Sequence, residues 1–205
     1  MYRKLDKLLA EAKKRIRVEF NRLGSMGFDE LNVVNTRNTT KEMFERLLAD
    51  NEKMYHKAAK SAYTAAGGDK ESTPDIEWVL GALMAYNFVT GYLYDKEAER
   101  KRLRLNEQIL TAREYDDRGL YNSSLQRSAN LWWTQTSQYG IDIVDKATLQ
   151  AYKDLGVEKV RWKTVADERT CKVCRERSDK VFDIDKVPVK AHYNCRCYLE
   201  PVVEE

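Results

Sequence analysis

The chain of 205 residues is poor in the residues that interrupt or cross-link a backbone, with three prolines, nine glycines and four cysteines. So few breakers exclude a proline- or glycine-rich linker and leave room for long helices. No run reaches the ~20 apolar residues of a membrane-spanning helix, and the first segment is charged and amphipathic, unlike an apolar signal segment. The expected setting is the cytoplasm or an intracellular assembly, where thiols stay reduced. Histidine is scarcer still, at two. His56 stands between Tyr55 and Lys57 in a helical pattern and reads as a surface side chain, so no second histidine accompanies His192 for nuclease-type water activation. G-x-S-x-G, H-E-x-x-H and a phosphate-cradling glycine loop are all missing. These absences speak against an enzyme and against a small-molecule substrate.

Charge of neither sign dominates: Lys and Arg number 36 and Asp and Glu 33, a formal net charge of +3. Both ends are nevertheless biased. Residues 1–24 hold eight basic against three acidic side chains, and residues 159–197 hold eleven against six. Such runs are solvated faces or surfaces for an acidic partner.

What is present is helical periodicity. Leu5, Leu8, Leu9, Ala12, Ile16, Phe20 and Leu23 recur at helical spacing and predict a first helix ending near Gly24. Thr39 with Glu42 has the form of a capping box, opening a second helix that Gly67-Gly68 would stop. Thr73-Pro74-Asp75 reads as the start of a third, with Pro74 at the first helical position and Tyr86 and Phe88 on its packing stripe, before a kink or end at Gly91. The charged run 92–110 carries Tyr94, Ala98, Leu105 and Ile109 as its packing stripe. Two further helices are expected, from Tyr121 to Tyr139 and from Asp145 to Leu155, the second ending at Gly156. After Gly156 the period shortens, and Val157–Val165 with Val181-Phe182 predicts a small hairpin. The expected fold class is mainly α (α+β), a multi-helix body over 1–156 with a β-hairpin and zinc-knuckle module over 157–205.

All four cysteines and one histidine fall in that module: Cys171-Lys172-Val173-Cys174, then His192-Tyr193-Asn194-Cys195-Arg196-Cys197. Two short ligand clusters joined by a loop are the spacing of a structural zinc (Zn2+) site, in which four sulfur or nitrogen donors replace a missing core. Cys171, Cys174, His192 and Cys195 rank first, with Cys197 as a fifth candidate in an all-thiolate alternative. Two disulfides are the competing arrangement in an oxidising compartment. Zinc deaminases place their histidine before the cysteine pair with a glutamate two residues on, and this chain does neither. A Cys195/His192 nucleophile pair explains two residues where a ligand cluster explains five.

The words around these cysteines are more specific than the cysteines. Trp162-Lys163-Thr164-Val165-Ala166-Asp167-Glu168-Arg169-Thr170-Cys171-Lys172-Val173-Cys174, with Val187-Pro188, His192, Cys195-Arg196-Cys197 and Leu199-Glu200-Pro201-Val202, resembles the C-terminal signature of phage minor head proteins, the Mu F-like head-morphogenesis family. The resemblance covers about residues 145–203; the charged run 92–102 resembles the family more weakly. It implies a non-catalytic minor capsid protein of the virion, in the capsid interior or at the portal vertex, present in host cytoplasm during assembly. Its partners would be the portal and capsid proteins, with a role in head assembly, DNA packaging or ejection. The alternative is a zinc-containing DNA-binding module inside the virion. Within the signature, Asp167 is expected to cap the turn before Cys171. Arg100, Lys101 and Arg104 on the charged helix and Arg196 on the knuckle are expected at partner surfaces. Trp132 joins them, because neighbours on a helix diverge by about 100° and Trp132 and Trp133 cannot both face inward. Trp162 is expected to anchor the hairpin on the helices.

Overall fold

A computed structural model describes residues 3–90, 94–165, 170–191, 195 and 197–202. The described chain is mainly α, with α1 (Arg3–Gly24), α2 (Val33–Ala65), α3 (Ile76–Thr90), α4 (Tyr94–Glu114), α5 (Arg118–Asp154) and the short α6 (Lys172–Arg177). Three strands, β1 (Lys159–Lys163), β2 (Val181–Asp183) and β3 (Tyr198–Val202), form one antiparallel sheet in the order β2-β1-β3. Gly91 lies outside the described residues, as do the side chains of Tyr86, Phe88 and Tyr94.

The α1 stripe is buried along its whole length, from Leu5 to Leu23. The second helix begins two turns before the expected box: the Asn35 amide donates to Asn32 Oδ1 at 2.9 Å, so Asn32 is its cap and Thr39 is interior. One turn on from Thr36, the Thr40 hydroxyl lies 2.6 Å from Asn106 Oδ1 of α4, a buried polar contact. At α3 the capping oxygen belongs to Asp75, which accepts from the Trp78 amide at 2.8 Å. Pro74 therefore precedes the cap and does not occupy the first helical position. The stops are as expected: Gly67 ends α2 at φ 95° and Gly156 ends α5 at φ 76°, both in the left-handed region that glycine enters without a steric penalty.

The largest departure is α5. Where two helices are expected, one of 37 residues runs unbroken through Gly140. A glycine inside a helix costs about 1 kcal/mol relative to alanine. Burial of Tyr139, Ile141, Ile143 and Val144 on either side of it offsets that cost.

By contacts the chain forms two compact units, one of residues 8–54 and 80–136, the other of 1–7, 55–79 and 137–205. The division runs inside α2 and α5 and does not coincide with the expected boundary at 156. The first unit centres on Phe20, Leu23, Phe44, Leu105, Tyr121 and Trp132, with the Phe44 and Trp132 rings edge to face at 4.8 Å. The second contains the sheet, whose core combines Tyr152, Val160, Trp162 and Leu199 with three cysteines. In β1 the side chains alternate, Val160 and Trp162 inward and Arg161 outward. The hairpin partner β2 is as expected; β3 is not foreseen, because Pro201 weakens any strand reading, and the structure seats it on the sheet edge where a missing N–H is tolerated.

Candidate metal centre

Each cysteine is delivered by a different piece of local structure. Cys171 caps α6, its sulfur accepting the Cys174 amide at 3.4 Å, which puts Cys174 in the first turn of that helix. Cys195 and Cys197 sit just before β3, one residue apart, with Tyr198 already paired to Lys163 of β1. The two segments are held by backbone-directed arginines. Arg175 Nε donates to the Thr170 carbonyl at 2.8 Å, and Arg177 Nη1 donates to the Val189 carbonyl at 2.8 Å. Trp162 is 2 % exposed against Phe182 and under the Arg177 guanidinium, and packs with Tyr152 of α5, so it anchors the hairpin as expected.

The structure brings three of the five candidate donors together. The sulfurs of Cys174, Cys195 and Cys197 lie within 4.8 Å of one another, and all three residues are buried. Cys174 Sγ and Cys195 Sγ are 3.6 Å apart. Four thiolates bound tetrahedrally at about 2.3 Å from one ion sit about 3.8 Å from each other, so this spacing fits a zinc-sized cation. It is far too long for a disulfide, whose sulfurs are about 2.05 Å apart, and all four cysteines are free thiols. Cys171 stands beside the trio, hydrogen-bonded to Cys174. His192, Arg196 and Asp167 lie outside the described residues.

Burial, followed by hydrogen bonds with Cys197, Cys171 and Cys195, pushes the Cys174 thiol far above its ordinary value. Burial also raises Cys195, an effect that a Cys197 backbone hydrogen bond partly opposes. Thiols packed this closely in an apolar interior stay protonated on their own, and a divalent cation is what would reverse that preference. The donor set therefore suits a soft or borderline cation, and its three cysteines are buried.

A contact that residue patterns do not announce locks the module in place. Lys190 Nζ lies 2.8 Å from Asp145 Oδ2, with the lysine side chain only 4 % exposed. Lys190 looks like one more member of a basic run, and only the fold singles it out.

The expected partner residues fare unevenly. Arg100, Lys101 and Arg104 do share one cleft, on the α4 and α5 faces of the first unit, joined by Arg127, which no charge run signals. Trp132 needs correction: it is 3 % exposed in the core against Phe44, and its half-buried neighbour Trp133 is the one that reaches a surface groove, with Lys13 Nζ 5.3 Å from its ring.

Residues 98–200 match the family model described as Phage Mu protein F like protein. The match reaches back through most of α4 and all of α5, well upstream of the cysteine signature. No curated protein and no solved structure matches the chain.

Proposed function

The chain belongs to the phage Mu protein F like family, and from that membership we propose that it is a non-catalytic minor capsid protein docked at the portal vertex. Its work there is in head assembly, DNA packaging or ejection, and its partners are portal and capsid proteins. The observation that carries this reading is the family match over half the chain, which includes the thiol cluster and the helices that support it.

Zn2+ is the proposed cofactor, held by Cys174, Cys195 and Cys197 with Cys171 or His192 as the fourth donor. When bound it would draw the thiol protons off and tie α6 to the start of β3. A structural role is favoured by the burial of the three thiols, which are 1–4 % exposed. Arg196 is proposed as a partner-binding residue.

A reconstruction of heads that contain the protein tests the docking. Density for the chain against the portal is the expected result; copies scattered through the interior would refute it. A second reading, DNA binding inside the virion, draws on the basic faces at 13–17, 100–104 and 159–177. It requires an affinity for DNA that falls steeply with added salt.

A further inference from the structure

We propose that the cleft bounded by α4 and α5 in the first unit is the docking site for an acidic amphipathic helix of a partner protein. The inference rests on reading the chain as a head protein that binds other head proteins, and it names the surface and the chemistry of what lands there. The cleft, of about 340 Å³, presents Arg100, Lys101, Arg104 and Arg127 and a single carboxylate, Glu97.

That carboxylate is already committed. Glu97 is 7 % exposed, takes the Arg100 guanidinium at 2.8 Å and the Lys101 ammonium at 3.5 Å, and accepts from Gln135 Nε2 at 3.2 Å. Arg104 and Arg127 are exposed, and neither forms an ion pair with a carboxylate among the described residues. Four cations line the cleft beside one carboxylate, so positive charge is in local excess. A surface built this way gains from carboxylates brought by another molecule, and each arginine fork matches a carboxylate's two oxygens.

Phosphates would satisfy the same cations, so the remaining lining decides the class. Leu131, 45 % exposed, stands at the rim, and Leu105 forms part of the wall. No aromatic side chain lines the cleft for an unpaired base to stack on. A leucine beside arginines suits a helix with one acidic and one apolar face, whereas a sugar-phosphate backbone has little apolar surface to set against it.

The test uses the full chain and fluorescence anisotropy with a labelled synthetic helix bearing Glu on one face and Leu on the other. Its Gln-for-Glu counterpart and a labelled DNA duplex are titrated in parallel. The Glu helix is expected to bind, and the Gln helix to bind at least about tenfold more weakly. The Arg104→Glu/Arg127→Glu double variant, which loses no internal ion pair, should keep its circular dichroism spectrum and lose affinity by a similar factor. Leu131→Ser should weaken the Glu helix severalfold and leave any DNA binding unchanged. Unchanged binding of the Glu helix in either variant overturns the proposal, and so does a duplex that binds more tightly than the helix and is lost with the two arginines. If the wild-type chain enters heads and the double variant enters equally well, this site is refuted and the head-protein reading survives. A wild-type chain that never enters heads refutes that reading, while the titrations still judge the cleft.

Discussion

Lys190 and Asp145 form a largely buried ion pair, 2.8 Å apart, between the loop that precedes Cys195 and the last third of α5. Neither charge is in bulk water, so each gains from the other. Removing one partner of a buried pair commonly costs about 3–5 kcal/mol, because the survivor loses a bonded counter-charge in a poor solvent. Asp145→Asn or Lys190→Met is therefore expected to lower the unfolding free energy by that order, read as a lower urea midpoint. The double change to a well-packed apolar pair should recover much of the loss. A single change that leaves the midpoint within error would show the pair to be solvated.

The thiol cluster should be inseparable from its cation. Protein purified under reducing conditions is expected to carry about one zinc per chain by elemental analysis. Cys174→Ser should abolish it and release Trp162 fluorescence to solvent, while far-ultraviolet circular dichroism from the long helices is retained. The apparent contribution of such a site is about 10–16 kcal/mol. Because burial holds Cys174 and Cys195 protonated, metal uptake must expel protons, and affinity should fall as pH falls. Full occupancy by Cys174→Ser, or none in the wild type, would contradict the assignment.

The tryptophan pair gives a clean contrast between adjacent positions. Trp132→Ala removes a buried ring packed on Phe44 and should cost about 3–5 kcal/mol. Trp133→Ala loses a half-buried ring and the Lys13 contact, worth about 0.5–1 kcal/mol at an exposed site. Denaturant titration of the two variants would reverse this order if Trp132 were the surface residue.

Alkaline stability should respond to two tyrosines. A hydrogen bond from Tyr63 to Asp154 at 2.6 Å, then burial, raises Tyr63 from 10.0 to about 12. Burial likewise raises Tyr121 to about 12. In each case the folded state keeps a proton that the unfolded chain gives up near pH 10. The stabilisation is complete below that value and is lost as pH rises towards about 12. Unfolding midpoints measured across this window should drop, and Tyr63→Phe should shallow the drop. Tyrosinate absorbance appearing in the folded wild type at pH 10 for all twelve tyrosines would argue otherwise.

Much of the helical architecture was readable because amphipathic periodicity is a local property. The seven-residue stripe of α1 needs only the helical repeat to declare its inner face, and Gly67 and Gly156 end helices by their own freedom at positive φ. Errors arose where local signals compete. Thr39 and Glu42 have the right spacing for a cap, yet Asn32 takes the role one segment earlier. A break is expected after Tyr139, and burial on both sides of Gly140 carries the helix through it. Pro201 hid β3, whose pairing depends on a strand nearly forty residues away.

The metal-type spacing, the signature around it and the inward stripes are properties of neighbouring residues, so order along the chain was enough to establish them. Convergence is different. That three of four sulfurs meet within 4.8 Å, that Trp132 turns inward and Trp133 outward, and that Lys190 finds Asp145 all depend on pairs far apart in the chain. Periodicity supplies direction around an axis but no distance between axes, and only packing in three dimensions sets that distance.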